Sequence, residues 1–134
     1  MAGDEEAVLF ANDRFYMAFS TRDMDAMEDL WSRGPVLCVH PGWQPLHGRE
    51  DVLASWRGIL GEGRAPDVTC HIPRATVLGD SAIVVCIEDV GGAYLCATNV
   101  FVREDGDWRM SHHHAGPVNM NPEDLPDEPD IAMN

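Results

Sequence analysis

Histidine is the side chain that titrates nearest neutral pH, and this sequence holds six of them. His40 stands alone at the end of an apolar stretch, residues 36–39, immediately before Pro41-Gly42. An imidazole in that place can take a proton from a carbon acid or activate a water; the plainer alternative is that it hydrogen-bonds the following loop. Glu88 follows the apolar run 83–87. Burial would raise its pKa and make it a general acid or the partner of a protonated histidine, whereas a strand that has already reached solvent leaves it an ordinary surface acid. Asn99, set among Cys96, Ala97, Val100 and Phe101, must be hydrogen-bonded if buried, either to a neighbouring strand or to a ligand.

His112-His113-His114 sits between Trp108-Arg109-Met110-Ser111 and Ala115-Gly116-Pro117, inside a strand pattern. Alternation sends His112 and His114 to one face and His113 to the other, so the three cannot chelate one ion together. A pair at i and i+2 supplies two ligands with no third in view, and no metal and no other cofactor is expected. Trp43, in the loop after the first strand, and Trp56, on a helix, are candidate aromatic walls for a ligand, with a plain core position the favoured reading of Trp56 and Trp43 the better placed to touch a ligand.

These residues need elements to position them. Residues 4–20 carry Val8, Ala11, Phe15, Ala18 and Phe19 near helical spacing, with Asp4, Glu5 and Glu6 favourably placed at the helix start. Asp23 is a cap for a short second helix bearing Met24, Met27, Leu30 and Trp31, stopped by Gly34-Pro35. Residues 36–39 read as a buried strand and 41–48 as a turn-rich loop. A third helix, about 49–60, puts Val52, Trp56 and Ile59 on one face. From Val68 the period becomes that of strands: runs 75–78 and 82–87 flank Gly79-Asp80-Ser81, and breaks at Gly91-Gly92 and at 104–107 lead to strands 93–102 and 108–115. The expected fold is α+β, with three helices packed on a curved, mainly antiparallel sheet around a central pocket, over residues 1–117. An acidic, proline-rich tail, 118–134, lacks the apolar surface to fold alone.

Composition narrows the function. Lysine is absent, nine arginines face 23 acidic residues, and the formal charge is −14. Such a surface repels nucleic-acid backbones and anionic lipid, so neither is an expected partner. No apolar run reaches the roughly 20 residues that span a bilayer, and the first residues are acidic where a signal peptide is basic, which places the protein in the cytoplasm as an expectation. Four cysteines in apolar segments without CxxC spacing read as buried thiols.

The element order resembles that of the nuclear transport factor 2-like superfamily. Trp31 to Trp56, with His40-Pro41-Gly42-Trp43 and Gly48-Arg49, is similar to SnoaL-like domains, and Asn99 to Pro117 resembles the end of the association domain of calcium/calmodulin-dependent protein kinase II. In ketosteroid isomerase-like members of the superfamily the general base is an aspartate just after the first strand, where this chain has His40. Their oxyanion-hole tyrosine corresponds to Phe15, with Tyr16 one residue on and about 100° around the helix, a departure that argues against steroid isomerisation. In the association domain two pocket arginines fall at Glu88 and Asn99, which removes the cations an anionic ligand would need.

The expected function is therefore binding of a small, apolar or cyclic organic molecule, with proton transfer as an isomerase, lyase or hydrolase. His40 would be the base and Glu88 the acid or its partner. Asn99 and His113 would donate to a carbonyl or enolate, and Tyr16, Trp43 and Trp56 would contact the ligand. The alternative is a non-catalytic ligand-binding or assembly module. Strand 94–102, apolar on both faces, points to a homodimer in either case. Because the tail is short of apolar anchors, a chain ending at Asn121 should melt within a few degrees of the full chain by circular dichroism; a large drop would show that the tail packs, through Ile131 and Met133.

Overall fold

The computed structural model describes residues 2–61 and 67–126. The elements run α1 (Ala2–Thr21), α2 (Met24–Leu30), β1 (Leu37–Val39), β2 (Leu46–His47), α3 (Arg49–Gly61), β3 (Val68–Leu78), β4 (Ser81–Val90), β5 (Ala93–Glu104), β6 (Asp107–Pro117) and a 3-10 turn, Pro122–Asp124. Ile131 and Met133 lie outside the described residues.

The six strands form one sheet in the order β2-β1-β6-β5-β4-β3, in which β3 to β6 make an antiparallel meander running out to the β3 edge. β1 joins β6 in parallel, with Leu37, Cys38 and Val39 opposite His112, His113 and His114. The helices cover one face, and the core lies between. Phe15, Met27, Leu30, Trp31 and Trp56 come from the helical side, meeting Ala82, Val84, Ala97, Phe101 and Met110 from the sheet. The expected Asp23 cap forms, its carboxylate accepting from the Ala26 N–H at 3.1 Å.

Two strands depart from the regular alternation read in the sequence. β3 begins at Val68 and is interrupted between His71 and Arg74, where Ile72 takes φ +44°. Pro73 cannot donate to a ladder, and it is accommodated by this irregularity on an edge strand. The second departure positions the site. Val100 pairs with His112 and Phe101 with Met110, so Ser111 is an extra residue in β6. Its hydroxyl donates to the Val100 carbonyl at 3.3 Å. Trp108 and Met110 face the core before this bulge, and His113 and Ala115 face it after. One inserted residue has exchanged the faces of the strand.

Candidate functional site

α1 carries two polar residues within its buried stripe. Val8, Ala11, Phe15 and Ala18 pack on the sheet, and Asn12 and Tyr16 lie with them, at most 5% exposed. On the sheet, Cys86 and Glu88 of β4, Asn99 of β5 and His113 of β6 face the same interior, each at most 2% exposed. The cross-strand register sets Val84 opposite Asn99 and Asn99 opposite His113.

These groups form a hydrogen-bonded chain. The Tyr16 hydroxyl donates to Glu88 Oε2 at 2.7 Å and lies 3.2 Å from Cys86 Sγ. Asn99 Nδ2 donates to Asn12 Oδ1 at 2.9 Å and to the Tyr16 oxygen at 3.2 Å. Asn99 Oδ1 accepts from His113 Nδ1 at 2.6 Å. His113 Nε2 lies 3.9 Å from Glu88 Oε2, beyond hydrogen-bonding reach, which brings the chain back to its start.

His40 stands beside this cluster, its ring centroid 6.4 Å from that of His113. A tight turn follows it: Trp43 N–H donates to the His40 carbonyl at 2.9 Å across Pro41 and Gly42, the latter at φ +80°. Proline at the second position and a positive φ at the third define a type II turn, and glycine is the residue that takes that φ without strain. The turn folds Trp43 back onto His40, with ring centroids 4.7 Å apart, while Trp56 of α3 packs on His40 at 4.8 Å. Ser55 fixes the ring's protonation. Its single O–H is given to the Val52 carbonyl at 2.6 Å, so toward His40 Nε2, 2.8 Å away, it can only accept. With that O–H given to Val52, Ser55 takes the proton of His40 Nε2, and among the described residues the Nδ1 lone pair faces only the weak donor Cys38 Sγ, at 4.0 Å.

Burial governs the electrostatics. It lowers His40 to about 4. Burial, assisted by His40, His112 and His114, lowers His113 to about 3. Burial raises Glu88 above the usual carboxylate value, an effect that the Tyr16 bond partly offsets, and burial, then Glu88 and Cys86, raise Tyr16 well above the usual phenol value. His113 is thus uncharged at neutral pH, and its approach to Glu88 is not an ion pair.

The structure brings His40, Glu88, Asn99, His113, Tyr16 and Trp56 into one interior, with Trp56 fully buried as a core residue that also walls the imidazoles. Trp43 stands apart as the outer cover, 47% exposed, beside a depression of about 220 Å³ lined also by Ala54, Ser55, Gly58 and Ile59. A helix packed across a sheet buries a stripe wide enough for both Phe15 and Tyr16. One expectation changes in detail. Asn99 and His113 have their N–H groups engaged by Asn12, Tyr16 and Asn99 itself, and so offer none to a carbonyl oxygen. Asn12 and Ser55 went unread in the sequence; the signal for Asn12 was a polar side chain one turn before Tyr16 within an apolar stripe. Among the described residues, no three His, Cys, Asp or Glu side chains are grouped to hold a metal ion.

Helices laid over one face of a mixed sheet, with a polar cluster enclosed between them, define a nuclear transport factor 2-like protein. Within that class the chain belongs to the SnoaL-like domain family, whose profile matches residues 8–120. A solved Streptomyces avermitilis protein of the same fold, described as a candidate dehydratase, is 34% identical with a TM-score of 0.81, over 89% of this chain and 99% of its own. A Thiobacillus denitrificans structure, described as a candidate calcium/calmodulin-dependent protein kinase type II association domain, is 35% identical with a TM-score of 0.73, over 81% of this chain and 93% of its own. F-box protein SKIP8 of Arabidopsis thaliana is 30% identical over 112 residues, which are 81% of this chain and 48% of that protein, so the chain spans about half the length of this relative. The fold is compatible with binding a small ligand. No helix among the described residues is long and apolar enough to cross a membrane.

The buried imidazoles predict an acid-sensitive fold. In the unfolded chain a histidine titrates near 6.5, above the values held in the fold, so unfolding takes up protons as the pH falls below that value. The stability gained by keeping them neutral is complete above pH 6.5. It is lost as the pH falls toward about 4 for His40 and about 3 for His113. Glu88 has the opposite sign: its contribution is full below the usual carboxyl range and is lost as the pH rises through its raised value. Urea unfolding should show a shallower loss of stability between pH 7 and 4 for His40→Asn than for the wild type; equal slopes would show that His40 titrates as in water.

Proposed function

We propose that this protein binds a small, uncharged, mainly apolar organic molecule and transfers protons on it, with His40 as base and the Tyr16–Glu88 pair as acid. The observation that carries the reading is His40: a buried, neutral imidazole hydrogen-bonded through Nε2 to Ser55, with only Cys38 Sγ near Nδ1 among the described residues, between the rings of Trp43 and Trp56. At physiological pH His40 is wholly in its neutral, proton-accepting form, although the burial that lowers it to about 4 also weakens it as a base, and the apolar wall limits the competition from water. Glu88, raised by burial, is the group suited to give a proton back, and Tyr16 holds it in place. The likeness to a candidate dehydratase, a lyase activity, supports the same class of chemistry for this chain. Its substrate enters past Trp43, the exposed cover of the site. Four free thiols suit the reducing cytoplasm.

His40→Asn should keep the fold and lower turnover by about 10²–10⁴. The assay follows a screen of small cyclic alcohols, ketones, epoxides and lactones for turnover or thermal stabilisation. Unchanged turnover would remove His40 from the mechanism.

A homodimer through the outer face of the sheet forms part of the proposal, and it is the whole of the second reading, a non-catalytic assembly module. The supporting observation is that face: Val85 is 44% exposed, Cys96 is exposed, and Ile83, Ile87, Val100 and Val102 are half-buried around them. The likeness to an association domain favours it too. Sedimentation equilibrium at micromolar concentration should give twice the chain mass, and Val85→Glu should return it to the mass of one chain. A wild-type monomer would sink the dimer.

A further inference from the structure

Every polar group carried into an apolar interior must find a partner, so the groups left without one describe what is missing. In the central cluster most N–H and O–H groups are already engaged. Tyr16 gives its proton to Glu88, Asn99 gives one to Asn12 and one to Tyr16, His113 Nδ1 gives one to Asn99, and His40 Nε2 gives one to Ser55. Among the three rings packed at the heart of the site, one donor and two acceptors remain. The donor is the Trp56 indole Nε1–H, fully buried with no hydrogen-bond partner among the described residues. The acceptors are the lone pairs of His40 Nδ1, met only by Cys38 Sγ at 4.0 Å, and His113 Nε2, 3.9 Å from Glu88 Oε2; among the described residues neither has an oxygen or nitrogen within hydrogen-bonding distance. The ring centroids are 4.8 Å apart for Trp56 and His40, 6.0 Å for Trp56 and His113 and 6.4 Å for the two imidazoles.

We infer that the ligand group selected by this interior is a neutral hydroxyl, so that the substrate class is a small cyclic or branched alcohol rather than a ketone or a carboxylate. The inference rests on the reading of this interior as a ligand site. A hydroxyl is both donor and acceptor: its oxygen accepts from the indole N–H while its proton goes to an imidazole lone pair. A carbonyl oxygen satisfies the indole and leaves both lone pairs bare. A carboxylate does the same and brings a charge beside Glu88, where neither the hydrogen bonds nor the ring contacts of the cluster include a guanidinium. A site built to pair a hydroxyl discriminates against an analogue lacking it, because its own buried groups are then left unpaired. Trp43, half exposed on a glycine-containing turn, is the cover that must move to admit the alcohol.

The test uses the full chain labelled with ¹⁵N at histidine and three probes of one shape: cyclohexanol, cyclohexanone and cyclohexanecarboxylate. Long-range ¹H–¹⁵N spectra of the free protein should show His40 protonated on Nε2 and His113 on Nδ1. Cyclohexanol at millimolar concentration should shift at least one of the two unprotonated nitrogens and bind about tenfold or more tightly than cyclohexanone, with the carboxylate weaker still. Trp56→Phe, which keeps the ring and removes the N–H, should weaken cyclohexanol about fivefold. Reversed tautomers, equal binding of ketone and alcohol, or an unchanged Trp56→Phe affinity would overturn the hydroxyl assignment while leaving a ligand site in place. If none of the three probes moves either imidazole signal, the interior is not a ligand site and both readings fall.

Discussion

A carboxyl group cannot be carried into an apolar core without partners, and Glu88, buried near the end of β4, sets that requirement for this fold. Its neighbours answer it from two layers. Tyr16 reaches it from α1, and Asn99 ties Tyr16 to Asn12 on the same helix and to His113 on β6. The helix is therefore fixed to the sheet by directional bonds as well as by apolar contact. Sliding α1 by one residue would leave several polar groups unpaired together, at a cost of about 1–3 kcal/mol each. A polar network with this degree of satisfaction specifies one register of helix on sheet, where an apolar interface of similar size would tolerate several.

Around that cluster, two small backbone devices determine which side chains the interior receives. The extra residue in β6 turns His113 inward, and the turn after β1 bends Trp43 over His40. Neither adds much buried area; both choose direction. The aromatic side chains then do the rest, with Phe15, Trp56 and Trp43 isolating the imidazoles and burial keeping them neutral.

Much of this arrangement was legible in the sequence, because its helices and long strands repeat a clear period. The α1 stripe, the Asp23 cap, α3 and the meander all follow from the spacing of apolar residues and the position of glycine. What escaped the sequence lacks a period or depends on distant chain. β2 is two residues long, too short to show alternation. The early part of β3 is masked by Pro73 and the irregular residues around it. Strict alternation from Trp108 and Met110 would have turned His112 and His114 inward, and nothing in the local sequence announces the bulge at Ser111 that reverses them. Helix periodicity alone does not state how wide a face the sheet covers, so the burial of Tyr16 beside Phe15 is settled only by the packing of α1 on the sheet. Ser55 has the look of an ordinary small helix residue until His40, fifteen positions earlier, is folded against it.

The parallel pairing of β1 with β6 bears on how the molecule comes into being. The hairpins from β3 to β6 join strands adjacent in the chain, and such local contacts form early because little entropy is spent closing their loops. β1, and with it His40, has its central partner 75 residues downstream, Cys38 pairing with His113, in a strand that leaves the ribosome late. During synthesis the meander can gather before the imidazole of His40 meets that of His113, so contact order favours late closure of the polar interior. Until then Glu88 remains in water, ionised and unpartnered, so closure of the fold and the rise in that carboxyl's proton affinity are a single event.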